Sequence, residues 1–230
     1  MLFMAPPATS RAAWSGWLAL AILLPWSLAL LVLVAGARWV CPDGVCAVPA
    51  FDRAGLVLAG GWRDPVLDTA MAAVTWLGSL FVLLPLAAWA AWRLAHTGRS
   101  RQAVFLLAAL LGASALAHAA KLWVARPRPD LFPALVTMPA DLSYPSAHSM
   151  QAAALALALL LVAPAGRGRA PLAVMLAGTV ALVAASRIHL QVHFPSDVFA
   201  GVLVAAGWVL GLRALLLGRT AARPRFGEAT

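Results

Sequence analysis

Charge is what this 230-residue sequence is short of: only 11% of it is Asp, Glu, Lys or Arg. Soluble domains carry about 25%. Acids are scarcer still, 8 against 17 basic residues. The shortage excludes a water-soluble fold, because 63% hydrophobic residues is more apolar surface than a core of this length can hide. No internal repeat, low-complexity tract or long linker divides the chain, so residues 1–230 read as a single membrane domain. No basic stretch interleaved with aromatics is present either, so the net charge of +9 does not point to a nucleic-acid partner.

The absence of charge is organised in blocks. Residues 12–37, 69–92, 102–120 and 142–166 contain no charged side chain, and shorter runs follow at 170–185 and 198–212. A transmembrane helix needs about 20 mostly apolar residues, and the mean hydropathy is +0.88. The fold class expected is an all-α membrane protein, a bundle of six transmembrane helices near 14–36, 66–92, 102–124, 148–164, 170–191 and 198–217. Arg213 can snorkel to the interface from the last of these. Ala35-Gly36-Ala37 has the look of a signal-peptide cleavage site, but the apolar stretch before it is too long for a signal, so the segment reads as a span.

The basic residues orient the bundle. With the N-terminus in the cytoplasm, Arg11, Arg93, Arg99, Arg101, Arg167, Arg169, Arg213, Arg219, Arg223 and Arg225 all fall inside. Only seven of the 17 fall outside. The positive-inside rule then predicts a multi-pass cytoplasmic-membrane protein, N-in and C-in. In the outer loop, Cys41-Pro-Asp-Gly-Val-Cys46 holds a turn sequence between two cysteines, which favours a disulfide in an oxidising compartment. Phe51–Trp62 reads as a short helix along the interface.

Polar residues at the ends of apolar helices are costly and mark function. Three clusters stand out: Lys121 to Arg126-Pro-Arg128-Pro129, Tyr144-Pro145-Ser146-Ala147-His148, and Ser186-Arg187 through His189 and His193 to Asp197. The charge-derived topology places all three on the outer face, toward the periplasm or cell exterior. Lys121, Arg128 and Arg187 gather positive charge with few acids nearby, which suits a phosphate and repels a metal cation. Ser146, Ala147 and His148 open a helix whose N–H groups form an anion site. Asp197, four residues after His193, can fix one ring nitrogen and leave the other to attack phosphorus. His148, on another helix, can protonate the leaving oxygen.

These clusters resemble the signature of the type 2 phosphatidic acid phosphatase superfamily: Lys-x6-Arg-Pro, Pro-Ser-Gly-His, then Ser-Arg-x5-His-x3-Asp. Lys121 to Arg128-Pro129 and Ser186-Arg187 to His193 to Asp197 fit without a gap, while Ala147 replaces the usual glycine. Alanine keeps the N–H donor and serves equally if its φ is negative. The resemblance, over about residues 60–215, implies a phosphohistidine on His193, oriented by Asp197, with His148 as general acid and then base. It also implies that Lys121, Arg128, Arg187, Ser146 and the Ala147 N–H hold the phosphoryl oxygens, with no metal and no cofactor. The partners implied are a lipid phosphate and membrane lipids.

His189, His193 and Asp197 also have zinc-ligand spacing, i, i+4 and i+8 on one helix. Pro195 and the nearby cations oppose that reading, and His189 is expected in the pocket wall. Arg126 is expected as an interface anchor or as a second anion contact at the site mouth, the latter worth roughly ten- to a hundredfold in preference for a diphosphate. The substrate expected on that ground is polyprenyl (undecaprenyl) diphosphate. Phosphatidylglycerophosphate, phosphatidic acid, lipid A phosphate and transfer to a lipid acceptor are the alternatives. A vanadate haloperoxidase shares the pocket but is soluble, and a small transporter would place its polar residues nearer the midplane.

Overall fold

The computed structural model describes residues 8–218, with side chains described from residue 16 onward. Every regular element among the described residues is helical. In chain order they are α1 (Ala8–Val40), α2 (Ala50–Gly60), α3 (Pro65–Val74), α4 (Leu80–His96), α5 (Ser100–Val124), α6 (Ala147–Val162), α7 (Arg169–His189) and α8 (Pro195–Leu217). Among the described residues, four stretches are long and apolar enough to cross a membrane: Gly16–Val40, Ser100–Val124, Arg169–His189 and Pro195–Leu217.

The span expected over 66–92 is not one helix. α3 passes into a 3₁₀ turn at Thr75–Gly78, and α4 restarts after a 44° bend. Ser79 breaks the run with extended backbone (φ −79°, ψ 141°), and its hydroxyl accepts from the Phe81 amide to cap α4. α6 has 16 residues, about 24 Å at helical rise, and is the shortest of the apolar core helices.

α5, α6 and α8 form the packed centre, where Ala109, Ala113, Ala154, Ala158 and Ala205 are fully buried. Without a hydrophobic drive between helices in lipid, small residues matter because they let backbones approach and dispersion contacts accumulate. Leu20, Leu23, Leu30 and Leu31 on α1 face outward, as a lipid-facing surface requires. Arg99 donates to the Val162 carbonyl and so ties the start of α5 to the end of α6.

Cys41 and Cys46 are bridged around the 3₁₀ turn Pro42–Gly44. The expected helix at 51–62 forms as α2, but it does not merely lie along a surface: Asp52 and Leu56 are wholly buried.

Candidate active site

Helix ends build the site. A cavity of about 240 Å³ is lined by Lys121 from the last turn of α5, His148 from the first turn of α6 and Arg187 from the last turn of α7. Arg128, Asp141 and His193 enter it from connecting loops. All three sequence clusters therefore meet at one end of the bundle.

α7 stops at His189, and α8 begins at Pro195. Proline suits the first helical position because its missing N–H is not needed there. Asp197 consequently sits in the first turn of a new helix, where its Oδ2 accepts from the Phe194 amide at 3.0 Å. The four-residue spacing from His193 to Asp197 straddles a helix start, so the one-helix zinc arrangement does not exist. His189 turns to α3, its Nε2 2.7 Å from Asp68 Oδ1, and is not in the cavity wall as expected.

The tautomer of His193 follows from its partners. Its Nε2 lies 3.1 Å from Arg128 Nη1. A guanidinium only donates, so Nε2 must accept, and the proton of the neutral ring is on Nδ1. Nδ1 faces Asp197 Oδ2 and the Ser143 hydroxyl, each at 3.4 Å. Burial, reinforced by the charges of Arg128, Arg187 and Lys121 and by His148, pushes the His193 pKa well below 6.5. The ring is thus held neutral, with an unshared pair on the cavity side.

Around it the cations are anchored rather than free. Arg187 donates from Nη1 to Thr75 Oγ1 at 2.7 Å, and its Nε is buried without a partner, a donor open to an anion. Lys121 donates to the Leu142 carbonyl and lies 3.1 Å from Asp141 Oδ2. Arg128 binds both the carbonyl and the carboxylate of Asp141. Burial raises the Asp141 pKa, but Arg128 and Lys121 outweigh it and hold the carboxyl at about 2. An acid thus occupies part of a cation set suited to phosphate.

Two other expectations need correction. Arg126 is not at the mouth: it is 1% exposed, with Nη1 2.6 Å from Asp197 Oδ1 and Nη2 2.7 Å from Asp52 Oδ2. With both Nη atoms on carboxylates and the side chain outside the cavity lining, Arg126 does not face a substrate phosphate. The Ser146 hydroxyl caps α6, 3.0 Å from Ser149 Oγ, and its amide donates to the Asp197 carbonyl, so the residue joins two helix starts instead of lining the cavity. Ala147 lies in the first turn of α6 and is not among the residues of positive φ, so the glycine replacement costs nothing in backbone strain.

The sequence does not single out Asp52, Thr75, His118, Asp141, Ser143 or Gln151. His118 and Gln151 line the cavity and both lean on Ser114, through its carbonyl and its hydroxyl respectively. Asp52 carries a signal, an acid inside an apolar helix. The others are polar residues that the fold brings to the cavity or to the side chains lining it.

The PAP2 superfamily model matches residues 102–221. Phosphatidylglycerophosphatase B of Bacillus subtilis is 32% identical over 160 residues, covering 67% of this chain and 78% of that protein. Decaprenylphosphoryl-5-phosphoribose phosphatase of Mycobacterium tuberculosis is 44% identical over 100 residues, 41% of this chain and 50% of that one. The crystal structure of a transmembrane PAP2-type phosphatidylglycerolphosphate phosphatase from Bacillus subtilis superposes with a TM-score of 0.71 at 28% identity, covering 88% of this chain and 98% of that chain. With three motifs gathered at one cavity and the family model spanning α5 to α8, the chain belongs to the PAP2 superfamily and is a membrane lipid phosphatase, a phosphoric monoester hydrolase.

Proposed function

We propose that the chain hydrolyses the terminal phosphate of a lipid whose head group carries hydroxyls, in the manner of phosphatidylglycerophosphate, through a phosphohistidine. The observation that carries the chemistry is the orientation of His193, with Nε2 toward the cations and Nδ1 toward Asp197. Nε2 attacks phosphorus, the P–O bond to the head group breaks, and His148 gives its proton to the departing oxygen. His148 then takes a proton from water as the water oxygen attacks phosphorus and the N–P bond breaks, releasing inorganic phosphate. Asp197 balances the positive charge the ring acquires in the intermediate. Lys121, Arg128, Arg187 and the Ala147 N–H at the α6 N-terminus stabilise the phosphoryl oxygens as charge develops. No step requires a metal.

Preference for a diphosphate would need Arg126 at the site mouth, and that residue is occupied by Asp52 and Asp197. His118 and Gln151 instead offer side-chain hydrogen-bonding groups beside the cations, which suit glycerol or ribose hydroxyls. Six membrane crossings, counting α3–α4 as one and α6 as another, with N-in orientation and an outward site, complete the reading. A panel of phosphatidylglycerophosphate, phosphatidic acid and undecaprenyl diphosphate, assayed on protein in one detergent, tests it. Phosphatidylglycerophosphate should give the highest kcat/KM. A faster diphosphate overturns the head-group reading, and release from none of the three overturns the phosphatase reading.

A further inference from the structure

Behind the nucleophile lies a second, closed set of charges. Asp52, Arg126 and Asp197 are 0%, 1% and 0% exposed. Asp52 accepts from Arg126 Nη2 at 2.7 Å, from the Ser196 amide at 2.8 Å and from the Ser196 hydroxyl at 2.7 Å. Arg126 Nη1 reaches both Ser196 Oγ, at 2.8 Å, and Asp197 Oδ1, at 2.6 Å, while its guanidinium stacks 3.9 Å over the Phe194 ring. α2, which carries Asp52, is pressed on the start of α8. A Cβ added at Gly55 would lie 2.4 Å from Pro195 Cγ, and Gln191 donates to the Leu56 carbonyl at 3.0 Å.

The charge count gives this arrangement a consequence. An arginine paired with Asp197 alone would neutralise the carboxylate that His193 needs as its ring becomes positive. Asp52 supplies a second negative charge on the far side of Arg126, so the buried trio keeps a net charge of −1. Truncating one partner of a buried charged set also leaves the others uncompensated, so the set acts as a unit.

We propose that Asp52 is a positioning residue for phosphohistidine formation, acting through Arg126 to fix Asp197 and to keep its charge available to His193. The inference rests on the phosphatase reading above, and wild-type turnover together with loss of activity in His193→Ala checks that reading separately.

The test is Asp52→Asn, nearly the same shape without the charge, in detergent-purified full-length protein that elutes as the wild type does. kcat should fall about ten- to a hundredfold, the order seen when the hydrogen-bond partner behind a metal-ligating histidine is removed. Inhibition by inorganic phosphate should stay within about twofold, since Lys121, Arg128 and Arg187 are untouched. The acid limb of the kcat/KM profile should move to lower pH by on the order of half a unit, because a negative charge near His193 is lost. The groups facing that ring are Lys121, Arg128, His148, Arg187 and Asp197, and none changes in the variant. Adding Arg126→Met to Asp52→Asn restores the lone charge of Asp197 and should return the acid limb toward its wild-type position. Unchanged kcat in Asp52→Asn, or a loss with the acid limb unmoved in both variants, overturns the proposal. Should Asp52→Asn fail to extract as folded protein, Arg126→Lys decides the matter. It keeps the charge but cannot span both carboxylates, so kcat should drop with phosphate inhibition preserved. Wild-type kcat, or an equal loss of phosphate inhibition, overturns the proposal.

Discussion

Asp141 Oδ2 lies 3.1 Å from Lys121 Nζ, and its other oxygen is held by Arg128, so one carboxylate bridges two cations at the cavity. Asp141 is partly exposed, with 43% of its side chain accessible. A substrate phosphate must displace it to use both cations. Asp141→Asn should therefore lower KM and strengthen inhibition by inorganic phosphate, each by about three- to tenfold, a gain of roughly 0.6–1.4 kcal/mol. The effect has a defined pH range. The folded pKa of about 2 is below the ordinary 3.8, so the ion pairs are fully present above about pH 4 and vanish only as pH falls through about 2. The variant should consequently differ from wild type at every working pH, measured by phosphate inhibition at pH 5 and pH 8. A weaker inhibition in the variant would assign Asp141 to substrate binding instead.

His193 should confer activity well into the acid range. Its pKa is lowered because burial and the surrounding cations penalise the charged ring. A base with a depressed folded pKa stays deprotonated as pH falls past its ordinary value, so the acid limb of kcat/KM should lie below pH 6.5. Folding should lose stability on the same side, since the unfolded chain protonates this ring first. His193→Ala should abolish turnover with normal extraction. A limb at or above pH 6.5 contradicts the neutral, buried nucleophile.

Gly78, at the bend, packs directly against Val183 and His148. A Cβ there would be 2.6 Å from Val183 Cγ1 and 3.0 Å from both Cβ and the carbonyl oxygen of His148. Gly78→Ala should cost about 1–3 kcal/mol of stability through overpacking. Because the displaced backbone belongs to His148, kcat should also fall by roughly tenfold or more. Thermal unfolding and turnover on the same preparation check both, and Gly168→Ala, which meets no atom within 4 Å, is the control.

A labelling experiment tests the orientation. The sequence holds 2 cysteines, and Cys41 and Cys46 are bridged to each other, so a single added thiol is the reporter. Asp130→Cys should react with an impermeant maleimide from outside intact cells, and Gly168→Cys should not. The reverse pattern would place the site in the cytoplasm.

Much of this protein is legible in one dimension because membrane insertion is a local rule. Charge-free runs locate the apolar helices, since lipid penalises each charged residue wherever the chain folds. The three clusters converge on one cavity because antiparallel helices return their ends to the same side. The break at Gly78-Ser79 leaves no trace in the charge pattern, since neither residue is charged and the hydropathy runs through unaltered. Arg126 and Arg128 show where such rules stop. Two residues apart, with the same side chain, they differ entirely in partners: one is enclosed by Asp52 and Asp197, the other reaches His193 and Asp141. Sequence alone located the apolar runs and the three polar clusters, because those depend on each residue's own transfer energy and chemistry. Which arginine faces the cavity, and which acid stands behind His193, was decided only by tertiary structure. A buried guanidinium takes whichever carboxylates the packing brings to it, and Asp52 arrives from α2, 74 positions away along the chain.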